Sequence, residues 1–169
     1  ILPDIAQAVA ASADPLDTAL HAAVAGNVID MGIGHAFDIE KDVLAMLDQP
    51  LAIDDVDLLR DAIRPELNVL YLGDNAGEIV FDTLLVDQLL QGGCRVTFSV
   101  KSGPIINDAT MEDARQVGMD GLCRVIETGA ADIGVNWSNI SDEAPIPGWD
   151  TWAVGIDVTG AKRAAARGA

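Results

Sequence analysis

The period of the hydrophobic pattern changes near Leu67, and that change limits the folds open to this chain more than any other feature. Residues 67–72 (Leu-Asn-Val-Leu-Tyr-Leu) form a short apolar run after Pro65 that stops at Gly73. Residues 79–91 are amphipathic, with Ile79, Leu84, Leu85, Leu89 and Leu90 marking an apolar side, and Gly92-Gly93 ends them. Residues 95–100 (Arg-Val-Thr-Phe-Ser-Val) are β-branched and aromatic, a second strand. A helix is expected over 110–118, where Thr110 and Asp113 are spaced as a capping box, and a third strand over 122–127. Strand, helix, strand, helix, strand predicts an α/β fold built on a parallel sheet with crossover helices.

The upstream segment is helical in pattern. Residues 4–12 are Ala-rich, and Asp14-Pro15 opens a second run over 16–33, with Asp14 as N-cap and Pro15 at the first helical position. Leu16, Leu20, Ala23 and Val24 recur at helical spacing and should face a core, and Gly26-Asn27 should interrupt the helix. One or two short helices are expected over 39–63. The chain thus divides into a helical portion (1–66), an α/β core (67–160) and a tail (161–169). A strand is expected over 152–158, whereas 161–169 has the pattern of neither a packed helix nor a strand. There is no internal repeat.

Of the 169 residues, 10 are basic and 27 acidic, a net charge of −17. Such a surface repels phosphate backbones and anionic lipid, which argues against nucleic-acid and membrane partners. Asp outnumbers Glu by 21 to 6, which suits either a salt-adapted surface or a set of cation sites. Cys94 and Cys123 have neither metal-ligand spacing nor a disulfide framework. Small buried thiols are the expected role, and a reducing, cytoplasmic location follows from it. No apolar run reaches the roughly 18 residues of a bilayer span, and no signal peptide is recognisable. The chain begins at Ile1, inside a segment already patterned as structure, so a piece of a longer protein is expected. If the last strands of the sheet are missing, the edge beside the first or third strand should be open and residues 145–169 should pack weakly.

In a doubly wound sheet, ligands lie beyond the carboxyl ends of the strands. Two polar clusters fall there: 73–78 (Gly-Asp-Asn-Ala-Gly-Glu) and 101–110 (Lys-Ser-Gly-Pro-Ile-Ile-Asn-Asp-Ala-Thr). One helical crossover separates the strands before them, so these can be neighbours about 4.8 Å apart. Asp74, Asn75 and Asp108 then converge, and two carboxylates with an amide oxygen suit a hard divalent cation that keeps positions for water and substrate. The competing reading is capping: Asn75 with Glu78 is spaced as a capping box, and Asp108 can cap the helix after it. The main-chain N–H groups of Ala76, Gly77 and Glu78 are candidates to hold an anion, with Gly77 leaving room for its approach. Lys101, at the tip of the second strand, either neutralises a phosphate or stands in water. Glu78 as a supporting group and Asp82, one turn on, complete the set.

Other chemistries fit less well. There is no lysine-serine/threonine ending for a P-loop, no GxGxxG turn for an ordinary nucleotide-binding Rossmann domain and no GxSxG elbow. A phosphoaspartyl nucleophile at Asp74 would want an acid two residues on, where Ala76 stands. His21 and His35, the only histidines, read as packing or surface residues.

At these residues the chain resembles the metal-dependent damage-control phosphatases, the ARMT-like family once catalogued as a domain of unknown function. The resemblance rests on residues 72–82 (Leu-Gly-Asp-Asn-Ala-Gly-Glu-Ile-Val-Phe-Asp) and 101–114 (Lys-Ser-Gly-Pro-Ile-Ile-Asn-Asp-Ala-Thr-Met-Glu-Asp-Ala). It extends upstream to 25–30 (Ala-Gly-Asn-Val-Ile-Asp) and downstream to 125–129 and 141–143. It implies a Rossmann-like α/β/α parallel-sheet core with an N-terminal helical portion. It also implies a phosphatase supported by Mn²⁺, Co²⁺ or Ni²⁺, with Mg²⁺ also fitting, that hydrolyses small phosphorylated metabolites such as sugar phosphates. Asp74, Asn75 and Asp108 map onto the family's metal and catalytic ligands, and Asn27 and Asp30 onto the substrate side, beside Gly77, Glu78 and Lys101. After the third strand the family has a Ser-Lys-Gly-Gln-Gly-type loop whose lysine holds phosphate. Nothing after Ser141 matches it, and Lys162 lacks that context. The alternative is therefore a non-catalytic metal-binding fragment of such a protein.

Overall fold

The computed structural model describes residues 1–30, 39–51, 54–129, 151–156 and 162–164. Helix α1 (Leu2–Ala11) carries Pro3 in its first turn and buries Ile5 and Val9, four residues apart on one face. Helix α2 (Pro15–Asp30) begins as its sequence predicts, with Asp14 Oδ1 accepting the Asp17 N–H at 3.3 Å. Arg60 grips the same carboxylate with both ends of its guanidinium (Nη1–Oδ1 3.1 Å, Nη2–Oδ2 2.6 Å). That pair ties the start of α2 to helix α4 (Val56–Ala62), which follows the short α3 (Ile39–Met46).

Helix α2 is buried on most of its circumference: Ala19, Leu20, Ala22, Ala23 and Ala25 are all inaccessible or nearly so. An Ala-rich helix can be surrounded because its backbone is thin enough to be approached from several sides. Leu16, Leu20 and Ala23 face the main core, with Val24 packed partly against it, as expected. The expected break at Gly26-Asn27 does not occur, and the helix runs through both residues. The glycine serves contact rather than interruption: a Cβ there would lie 2.7 Å from Phe81 Cδ2 and 3.1 Å from Glu78 Cα.

The sheet has the order β3 (Arg124–Glu127), β2 (Arg95–Val100), β1 (Asn68–Leu72), β4 (Thr151–Ile156), β5 (Lys162–Ala164). Strands β1, β2 and β3 pair in parallel, joined by α5 (Ile79–Gln91) and by α6 (Met111–Gln116) with the single-turn α7 (Met119–Leu122). The alternating side chains of β1 point to opposite faces. Val69 and Tyr71 enter the main core with α2 and α5, while Leu70 packs with Ile126, flanked by Leu72. Tyr71 and Phe98 stack at 5.0 Å. A smaller core of Ile5, Ala22, Ala25, Val43 and Phe81 joins the helical portion to α5. The capping box of α6 is present, Asp113 Oδ2 accepting from both the Thr110 N–H (2.8 Å) and the Thr110 hydroxyl (2.7 Å).

The expectations for the C-terminal residues are corrected in part. Strand β4 (Thr151–Ile156) pairs in parallel with β1 along all of β1, so the edge beside β1 is covered, while β3 ends the sheet on the other side among the described residues. Lys162–Ala164 forms β5, antiparallel to β4, where the Ala/Arg composition had given no strand signal. An edge strand needs only backbone pairing on one side, which composition does not report. Residues 145–150 and 165–169, and with them part of the expected weak packing, lie outside the described residues. Among the described residues no helix is long and apolar enough to cross a membrane.

Candidate functional site

The register Leu72↔Ser99 brings the carboxyl ends of β1 and β2 level. Beyond it the chain stays close to β2 because residue 73 has no side chain. A Cβ on Gly73 would sit 2.5 Å from Phe98 Cε1 and 2.7 Å from the Ser99 carbonyl oxygen. The Gly73 N–H instead donates to that carbonyl at 3.1 Å. The two polar loops are then laced together antiparallel, with Asn75 bridged to Asp108. The Ala109 N–H donates to the Asp74 carbonyl (2.7 Å) and the Ala76 N–H to the Asn107 carbonyl (2.8 Å). Residues 34 positions apart in the chain are thereby adjacent, as the sequence predicts for Asp74, Asn75 and Asp108.

The capping alternative divides between these residues. Asn75 does cap: its Oδ1 accepts the Glu78 N–H at 2.7 Å, and its Nδ2 donates to Glu78 Oε2 at 3.3 Å. Because a main-chain N–H can only donate, the atom facing it is the amide oxygen, which fixes the orientation of the group. That oxygen has a second lone pair, so capping does not exclude coordination. Asp108 does not cap α6, a role taken by Thr110. Its Oδ2 lies 3.3 Å from Lys101 Nζ. The Lys101 side chain is only 3% exposed, so the reading of a water-solvated strand end is set aside.

Three carboxyl groups stack behind this surface at four-residue spacing. Asp74 is half-buried, while Glu78 and Asp82 are fully buried. Glu78 Oε2 accepts from Asn27 Nδ2 at 2.9 Å, and the Tyr71 hydroxyl donates to Asp82 Oδ1 at 2.6 Å. Glu78 Oε1 and Asp82 Oδ2 have no hydrogen-bond partner among the described residues. Burial pushes both carboxyls well above the usual carboxylate range, and the negative charge of Asp74 adds to the rise at each. The Tyr71 hydroxyl is pushed up as well, first by burial and then by the charges of Asp82 and Glu78.

The other candidates are distributed as follows. Gly77 is half-buried in the turn before α5. The N–H groups of Ala76 and Glu78 are already engaged by Asn107 and Asn75, so two of the three expected anion donors are committed elsewhere. Asn27 is 1% exposed and meets Glu78 rather than a surface. Asp30 closes α2, and its side chain lies outside the described residues, as do His35 and residues 141–143. His21 is a packing residue, its ring nitrogens facing the Asp17 and Gln49 carbonyls at 2.9 and 3.0 Å. Cys94 is buried and Cys123 partly so, both as free thiols.

Two features beside the site leave little trace in the sequence. The Tyr71–Asp82 bond has a faint signal in the four-residue spacing of Asp74, Glu78 and Asp82. Ile106 has a positive φ of 49° and is 84% exposed, at the tip of the loop beside the site. A β-branched residue adopts that conformation only when its surroundings impose it. Here the Asp108 N–H bond to the Ile105 carbonyl (2.9 Å) and the lacing at Asn107 do so.

The donor set suits a hard cation. Two carboxylates and an amide oxygen stand at adjoining strand ends, and among the described residues no group of three or more His, Cys, Asp or Glu has ligand spacing. Such a set suits a partly hydrated ion rather than one held in an all-protein cage.

Comparison with known proteins identifies the family. A family model described as the damage-control phosphatase ARMT1-like domain matches residues 1–145. A damage-control phosphatase of Pyrococcus horikoshii is 39% identical over 129 residues, covering 75% of this chain and 45% of that protein. A damage-control phosphatase of Archaeoglobus fulgidus is 35% identical over 148 residues, covering 85% of this chain and 51% of that one. The chain spans about half the length of the curated relatives it matches. The crystal structure of a DUF89 family protein from Pyrococcus horikoshii superposes with a TM-score of 0.73 at 28% identity, covering 91% of this chain and 63% of that one. Sequence motifs, strand-end geometry and the match over residues 1–145 lead to one assignment: this chain belongs to the damage-control phosphatase ARMT1-like domain family.

Proposed function

We propose that this chain carries the metal-binding part of a divalent-metal-dependent phosphatase that hydrolyses phosphoric monoesters of small metabolites. The observation that supports this most is the lacing of the two strand-end loops, which sets Asn75 against Asp108 and joins the Asp74 carbonyl to Ala109. Asp74 and Asp108 would hold the cation through carboxylate oxygens and Asn75 through its amide oxygen, with Mn²⁺, Co²⁺, Ni²⁺ and Mg²⁺ all suited to such donors. A cation bound there supplies polarisation of a phosphoryl oxygen and offsets charge developing on the transferred group.

The chain's own residues set the rest of the chemistry. Lys101 offsets part of the charge that Asp108 brings, and the lacing keeps both ligand loops in place without side-chain rearrangement when substrate arrives. The family's name supports phosphatase chemistry, and small phosphorylated metabolites are the substrate class of this proposal. A second reading, a metal-binding segment without turnover of its own, is favoured by the coverage of about half of each curated relative.

Phosphate release from a panel of sugar phosphates, with Mn²⁺ or Co²⁺ added and with chelator, tests the proposal. Metal-dependent release that disappears in Asp108→Ala supports the phosphatase. Mn²⁺ binding without any release supports the second reading.

A further inference from the structure

Asn75 and Asn27 do different work, and Asn27 acts from behind the site surface. Its amide is 1% exposed and donates to Glu78 Oε2 at 2.9 Å across 51 residues of chain. The same carboxyl oxygen receives Asn75 Nδ2 at 3.3 Å, and the Glu78 N–H fills one lone pair of Asn75 Oδ1 at 2.7 Å. Asn75 therefore has both amide atoms committed to one residue, and that residue is fully buried and held from behind by α2. Rotation of the Asn75 amide would break two hydrogen bonds and set its nitrogen against a main-chain donor.

The approach of α2 depends on Gly26. Only 3.1 Å would separate a Cβ at this position from Glu78 Cα, a backbone atom that cannot swing away. Any side chain at 26 lifts α2 away from α5, and the Asn27–Glu78 bond, made one residue further on, lengthens with it. The helical portion thus sets the orientation of a residue at the end of β1.

We propose that Asn27 and Glu78 are positioning residues, which never touch the cation and hold Asn75 with its amide oxygen facing it, with Gly26 as the contact that lets α2 reach them. The inference rests on the metal-site reading given under Proposed function. Groups that orient metal ligands from behind typically change metal affinity about 10–100-fold when removed.

The experiment is Mn²⁺ titration by calorimetry of the wild-type chain and of Asn27→Ala, Glu78→Ala, Glu78→Gln, Gly26→Ala and Asp74→Ala, with urea unfolding of each measured separately. Asn27→Ala and Glu78→Ala should bind Mn²⁺ about 10–100-fold more weakly than wild type. Glu78→Gln keeps a carbonyl oxygen to accept both amides, so its affinity should return to within about fivefold of wild type. Gly26→Ala should weaken Mn²⁺ binding in the same direction as Asn27→Ala. Glu78→Gln as weak as Glu78→Ala would overturn the inference in favour of a direct charge effect. A folded Asn27→Ala with wild-type affinity, beside an Asp74→Ala that binds nothing, would overturn the inference alone. A wild-type chain that binds no Mn²⁺ would overturn the metal-site reading beneath it.

Discussion

Lys101 Nζ stands 3.3 Å from Asp108 Oδ2, with the two side chains 3% and 13% exposed, directly beyond the end of β2. A cation partner for Asp108 is thus built into the fold. Replacing it by an isosteric apolar chain strands a largely buried carboxylate. Lys101→Met should lower unfolding stability by about 3 kcal/mol, the usual cost of removing one partner of a buried pair. Mn²⁺ should restore part of that loss, because a metal at Asp108 supplies the missing positive charge. Urea unfolding of the variant with and without Mn²⁺ checks both.

Most of the fold was legible because its signals are local. The boundaries of α5 follow from Gly73, Gly92 and an apolar stripe, and the Thr110–Asp113 cap follows from spacing alone. The meeting of the candidate ligands was legible for the same reason: one crossover between two neighbouring strands sets the loops of residues 74–75 and 108 side by side. What escaped was set by tertiary contact. Gly26 has the sequence signature of a helix breaker, and only the presence of Phe81 and Glu78 against it shows that it is a contact point. Strand β5 pairs through its backbone, so Lys162 and Arg163 gave no strand pattern. Burial of Glu78 and Asp82 is likewise invisible in a sequence where most acids are solvated.

Ile106 carries backbone strain with little packing in return. At 84% exposure and φ 49°, its substitution by Asn sacrifices almost no buried area and suits the left-handed conformation. Ile106→Asn should raise unfolding stability by about 1 kcal/mol, the low end of the strain such a residue stores. Thermal unfolding followed by circular dichroism measures it, and a lowered midpoint would mean that the side chain is held by contacts of its own.

Asp82 gives the chain a pH-dependent weakness. Burial raises its carboxyl in the folded state, with the charge of Asp74 adding to the rise and the Tyr71 hydroxyl bond opposing it; Glu78 is the other acid facing it. A raised folded value means that the unfolded chain ionises first. Stability therefore falls as pH climbs above the unfolded value near 3.8 and levels off only once the folded group ionises. Asp82→Asn removes that slope. The variant should gain on wild type progressively as pH rises from about 4 towards 8, by up to about 1.4 kcal/mol for each tenfold difference in proton affinity between the folded and unfolded chain. Denaturant midpoints across that range report it, and parallel curves for the two proteins would contradict the assignment.

The cation assigned to Asp74, Asn75 and Asp108 links the strand-end loops to the proposed chemistry. Asp74→Ala removes one of two carboxylates from the donor set while leaving the carbonyl that bonds Ala109 in place, so the loops should remain laced. Hard cations depend strongly on ligand charge, and a site reduced to one carboxylate and an amide should lose measurable Mn²⁺ binding. Calorimetric titration of wild type and Asp74→Ala with Mn²⁺, alongside a circular dichroism spectrum of each, is the measurement. Saturable binding by wild type, none by the variant and matching spectra are expected. Equal Mn²⁺ affinity in the two proteins would contradict the cation assignment.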